Sequence, residues 1–173
     1  LSVALSRRHH PALPDPCPGS PWYVLLQIDD NASDSPIADE LERALQAALE
    51  AGIVQDATIA HSGEQARSLW ALRENIAEAQ RRDGPNIKHD IALPVSCIAA
   101  FVAATDAELL RAFPGARIVN FGHLGDGNLH YNLQAPEGIA AADFLRAHEH
   151  AVNAIVYDAV GRFGGSISAE HGI

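Results

Sequence analysis

The sequence predicts an α+β fold, an antiparallel sheet of the ferredoxin-like kind with helices packed on one face. Three observations predict it. Asp126-Gly127 stands between two short alternating runs, a strong hairpin signal because a two-residue turn needs positive φ at its centre. Strand-like and helix-like segments follow one another in the order β-α-β-α-β-α-β-β-α. The glycines of Gly122-x-x-Gly125-x-Gly127 lead into a strand, whereas a dinucleotide fingerprint leads into a helix, and no P-loop is present.

Residues 1–21 read as a helix end followed by a linker. Pro11, Pro14, Pro16, Pro18 and Pro21 can neither continue a helix nor enter a central strand. From residue 22 onward the chain reads as one domain. Trp22 to Ile28 is an aromatic and aliphatic run, expected as a strand. Ser35-Pro36 has the form of an N-cap and first helical residue, and Ile37, Leu41, Leu45 and Ala48 recur at helical spacing up to Gly52. Val54 to Ala60 is expected as a second strand. Ser62-Gly63-Glu64-Gln65 has capping-box form and opens a helix to about Arg82, with Leu69, Leu72, Ile76 and Ala79 as its buried stripe. Ile87 to Leu93 follows as a third strand, with Lys88 and Asp90 on one face and Ile87, His89 and Ile91 on the other. Residues 96–112 read as a helix with an interruption near Thr105, where a second capping-box pattern occurs. Ala116 to Leu124 and Leu129 to Gln134 form the hairpin. A last helix spans about 140–163, and Gly164-Gly165 ends it.

A chain of 173 residues, 47% hydrophobic and 20% charged, can bury a real core. Its 22 acidic residues against 12 Lys and Arg give a net charge of −10, which argues against a nucleic-acid surface. Cys17 and Cys97 form neither a disulfide framework nor a CxxC site, so a reducing, cytoplasmic location is expected. No apolar run approaches the roughly 20 residues of a membrane span. The absence of Met and the abrupt ends suggest a piece of a longer protein.

With Asp126-Gly127 as a two-residue turn, His123 opposes His130 and Phe121 opposes Asn132 on one face. Two imidazoles suit a single metal ion, and Glu170 near the chain's end is the candidate third ligand. Such a set leaves open coordination positions, as catalytic metals require. A plain hairpin whose histidines make hydrogen bonds is the competing reading, and geometry alone leaves both open. A metal-dependent hydrolase and a non-catalytic ferredoxin-like interaction module are the alternative functions, though no HExxH helix is present.

Gly122-His123-Leu124-Gly125-Asp126-Gly127-Asn128-Leu129-His130-Tyr131-Asn132, with Ala169-Glu170-His171-Gly172-Ile173, resembles the C-terminal domain of FAD-linked oxidases. Trp70-Ala71-Leu72-Arg73-Glu74 and Lys88-His89-Asp90-Ile91-Ala92-Leu93-Pro94 resemble two further motifs of that family. The resemblance covers about residues 20–173. It implies an FAD-dependent dehydrogenase of D-2-hydroxy acids, with FAD bound mainly by a preceding domain that this chain lacks. It implies a divalent metal, zinc or manganese, on His123, His130 and Glu170. Arg73 and Lys88 would hold substrate carboxylates, Asn132 would contact substrate, and His171 would take the 2-hydroxyl proton. The partner is then a small 2-hydroxy acid, the electron acceptor is open, and a homodimer is allowed. Many relatives carry Thr at the position of Ala77, which weakens an assignment to hydroxyglutarate.

Overall fold

The computed structural model describes residues 1–32 and 34–169. Its helices are α1 (Ser2–His9), α2 (Ile37–Glu50), α3 (Gly63–Glu74), α4 (Ile76–Asp83), α5 (Ile98–Ala112) and α6 (Ala141–Arg162). Its strands are β1 (Asp90–Ala92), β2 (Arg117–His123) and β3 (Asn128–Gln134), antiparallel in the order β1-β3-β2. The fold class is α+β with an antiparallel sheet, as expected. The chain divides into two units, one of residues 6–76 and one of residues 1–5 with the chain from 77 onward.

The second unit carries the sheet. Ile87, Ile91, Leu129, Tyr131 and Leu133 project from one sheet face into a core completed by Phe101 and Leu109 of α5 and Val152, Val156 and Val160 of α6. Each such side chain, fully buried, contributes roughly 1.5–3 kcal/mol. Phe101 makes edge-to-face contacts with Tyr131 and Phe163, at centroid separations of 5.4 and 5.8 Å. The Tyr131 hydroxyl donates to Asp106 Oδ1 on α5. Burial raises the pKa of both groups, so the phenol stays a proton donor. Ser2 Oγ donates to the Asn120 carbonyl at 2.7 Å and ties the N-terminal residues to β2.

Alternation in the third strand is as expected: Ile87, His89 and Ile91 are buried, while Lys88 is exposed and Asp90 half-buried. His89 is 2% exposed, with its ring nitrogens 2.7 Å from the Tyr131 carbonyl oxygen and 2.9 Å from the Asn153 side-chain amide on α6. Burial lowers its pKa, outweighing those two contacts and the charge of Glu149, which raise it. The folded state therefore disfavours protonation of His89. The stability this gives is complete above its ordinary value of 6.5 and is lost as pH falls through the depressed folded value. Urea midpoints measured from pH 7 to 5 are expected to fall in the native chain and to fall less in His89→Gln. Equal slopes would remove His89 as the cause.

In the unit of residues 6–76, Arg7 pairs with Asp15 at 2.7 Å and Tyr23 donates to the Cys17 carbonyl, which folds the Pro-rich stretch against its flanks. Ser6 Oγ donates to the Leu72 carbonyl at 2.9 Å. Ser62 caps α3 by accepting from the Gln65 N–H, and the Gln65 side chain accepts from His61 N–H in return. Ser35 Oγ accepts from the Ile37 N–H at the start of α2.

Several element assignments are corrected. Trp22 to Ile28 and Val54 to Ala60 form no strand among the described residues: neither run has a ladder partner, and Val24 and Leu26 are well exposed. An apolar run supplies strand propensity, but pairing requires a partner. The α2 stripe is likewise not buried. The helix expected over 63–82 is divided at Asn75, whose side chain donates to the Ala71 carbonyl and competes with the helical ladder. The third strand shortens to Asp90–Ala92, flanked by a bridge from Ile87 to Leu133 and by a bond from the Leu93 N–H to the Gly127 carbonyl. α5 runs through Thr105 without interruption, since Thr105 is fully buried and core packing overrides the capping pattern. No described helix is long and apolar enough to cross a membrane.

Candidate metal and substrate site

The hairpin register differs from the expected one. His123 pairs with Asn128 and Phe121 with His130, so residues 124–127 form a four-residue connection. Asp126 does not adopt positive φ, as a two-residue type I′ turn would require, whereas Gly127 does, at +76°. The slip along the ladder is two residues. Side chains alternate with period two, so an even slip leaves every side chain on its original face. His123 and His130 therefore still share a face, now as diagonal neighbours with Cα atoms about 7–8 Å apart.

β1 adds a third column. One antiparallel register runs from Ile87, which bridges Leu133, through Asp90 opposite His130, to Leu93, whose N–H donates to the Gly127 carbonyl. The face turned away from α5 and α6 thus carries three rows. Lys88, Asn132 and Val119 share the first, Asp90, His130 and Phe121 the second, and Ala92, Asn128 and His123 the third.

The middle row is held by side-chain contacts. Asp90 Oδ1 lies 3.2 Å from His130 Nδ1 and accepts from Asn128 Nδ2 at the same distance. The rings of Phe121 and His130 are 4.9 Å apart. In the third row, Ala92 makes a two-bond bridge with Ser166, which brings the chain past the end of α6 along the outer edge of β1. Ala169 then lines a cavity of about 190 Å³ with Ala92, Asp126 and Asn128. Asn128 Oδ1 is buried and has no hydrogen-bond partner among the described residues.

The sheet unit thus brings His123, His130, Asn132 and Lys88 to one face. Asn132 is 4% exposed, its amide accepting from the His89 N–H at 3.3 Å and donating to Gln80 Oε1 at 3.1 Å. Arg73 belongs to the other unit, in the last turn of α3. Near it, Arg67, Trp70 and Glu74 line an open depression, and the Trp70 indole donates to Gln27 Oε1. Glu170 and His171 lie outside the described residues. Among the described residues, no three His, Cys, Asp or Glu side chains stand ready to hold a metal ion. The donor types fit a divalent cation all the same: two imidazoles on one face, a carboxylate against one of them and an orphaned amide oxygen beside them.

Asp90 and Asn128 are the residues a reading of the sequence misses. Alternation placed Asp90 on the correct face, but its lateral neighbour depends on a pairing across 40 residues that no local pattern reports.

The chain matches the FAD linked oxidases, C-terminal domain, over residues 2–173, and it belongs to that family. Its relatives are dehydrogenases by name. A D-2-hydroxyglutarate dehydrogenase of Xanthomonas citri pv. viticola is 42% identical over 153 residues, covering 88% of this chain and 32% of that protein. The mitochondrial D-2-hydroxyglutarate dehydrogenase of Rattus norvegicus is 37% identical, covering 95% of this chain and 29% of its own length. That of Arabidopsis thaliana is 34% identical over 99% of this chain and 29% of its own. The chain spans about a third of the length of the curated relatives it matches.

Proposed function

We propose that this chain is the substrate- and metal-binding part of an FAD-dependent dehydrogenase that oxidises a D-2-hydroxy acid to the 2-oxo acid. The observation that carries the proposal is the pair His123 and His130 on one sheet face, in a member of a flavin-linked oxidase family whose relatives are named for that chemistry. His123 and His130, with Glu170 as third ligand, would hold zinc or manganese. When bound, the metal would act as a Lewis acid on the 2-hydroxyl, and FAD would accept the C2 hydride. Of the chain's own residues, Lys88 and Arg73 would neutralise the substrate carboxylates, and Arg73 can grip one bidentately. His171, next to Glu170 in sequence, would take the hydroxyl proton. Asn132 would reach the substrate by giving up its bond to Gln80. Two free cysteines favour a reducing, cytoplasmic location.

The test uses the flavoprotein that contains this domain. D-lactate, glycolate or D-2-hydroxyglutarate is expected to reduce an artificial acceptor dye. Chelation should abolish that turnover, and zinc or manganese should restore it. Turnover indifferent to chelation would reject the metal's role. No dye reduction with any of the three acids would reject the reaction.

A further inference from the structure

We infer that Asp90 is a positioning residue that fixes the ring and the tautomer of His130; the inference rests on the metal reading above for its purpose, though not for its geometry. Asp90, His130 and Phe121 are directly opposed across all three strands. Strand β3 thus presents the imidazole between a carboxylate on one neighbour and an aromatic ring on the other. Asp90 Oδ1 stands 3.2 Å from Nδ1, and the Phe121 centroid lies 4.9 Å from the imidazole, inclined by 43°.

A carboxylate oxygen beside a ring nitrogen attracts N–H and repels a lone pair. It therefore favours the proton on Nδ1 and the lone pair on Nε2. The side chains of Asp90 and His130 are only 19% and 20% exposed, so solvent screens this contact less than it would a surface pair.

A lone aspartate on an edge strand has rotamer freedom and would orient little. Here Asn128 removes that freedom. Its side-chain N–H group donates to the same Asp90 oxygen at 3.2 Å, while its own backbone N–H donates to Asp126 Oδ1 at 3.0 Å. Asn128 is 4% exposed. The loop carboxylate thus steadies Asn128, Asn128 steadies Asp90, and Asp90 orients His130. That is the arrangement by which outer carboxylates orient metal-ligating histidines. It assigns the Lys88-His89-Asp90 segment two tasks on opposite faces, His89 in the core and Asp90 at the site.

Two readouts test this on the whole chain with ¹⁵N-labelled histidine. Long-range proton–nitrogen correlation without metal reports the His130 tautomer, with its resonance identified by loss in His130→Gln. Competition against a chelator reports zinc affinity. The native chain and Asp90→Asn, which keeps an acceptor oxygen, should show the proton on Nδ1. Asp90→Ala should shift the population toward Nε2–H and weaken zinc about 10–100-fold. An unchanged tautomer in Asp90→Ala would overturn the inference, as would a native ring protonated on Nε2. Should Asp90→Ala fail to fold, the native and Asp90→Asn spectra still decide. Absence of zinc binding by the native chain would overturn the metal reading alone, because the tautomer is read without metal.

Discussion

Replacing His123 by Ala is expected to lower kcat/KM for a D-2-hydroxy acid by about 10²–10³-fold in the flavoprotein, and to strip its metal, while leaving the fold intact. The separation of the two effects follows from position. His123 is exposed at the end of β2 and takes no part in the core. Truncations at such positions shift stability by roughly 0.5 kcal/mol or less. Its proposed work is therefore done on a bound cation. Stopped kinetics with undiminished flavin content would be the expected outcome, with a melting temperature no lower than that of the native protein freed of metal. Undiminished turnover in this variant would sink the metal assignment.

The second large effect is on stability. Gly127→Ala is expected to cost about 2–4 kcal/mol, from left-handed backbone and overpacking together. Gly127 has φ of +76°, and a Cβ there would lie 2.0 Å from the Leu93 carbonyl oxygen. That contact cannot be relieved by rotating a side chain, because Leu93 is itself bonded through its N–H to Gly127. For a chain of this size the melting temperature should fall by roughly 10 °C. Gly125→Ala is the control within the same loop, since its Cβ would meet nothing within 4 Å and its φ is not positive. It should be nearly neutral. Equal losses in the two variants would show that the loop, rather than the contact with Leu93, is what matters.

Much of the site was legible because it depends on parity. Alternation along 128–134 and 117–123 decides which side chains share a face, and that survives an error of two in the register. The loop length was not legible. Asp126-Gly127 signals positive φ, and Gly127 supplies it, but a two-residue and a four-residue connection both place a glycine there. The choice is made by Leu93, which bonds Gly127 from a strand more than 30 residues away. Local patterns failed in the same way elsewhere. Thr105 has capping form and lies in mid-helix, because Tyr131 and the core claim its turn of α5. The runs at 22–28 and 54–60 have strand composition without a strand to pair with. The helix start at Ser62 was readable because the cap and the N–H that donates to it lie within three residues of each other, whereas at Ser35-Pro36 the N-cap falls one residue later, on Pro36.

The four-residue connection between β2 and β3 has a consequence for how this hairpin tolerates insertion. Adding or deleting two residues there would slide His123 along its strand yet keep it looking toward the same side as His130. A single-residue change would turn β2 over, sending His123, Phe121 and Val119 together toward α5 and α6 and carrying Ile118 and Asn120 to the opposite face. Loop lengths in functional descendants of this hairpin should accordingly be even.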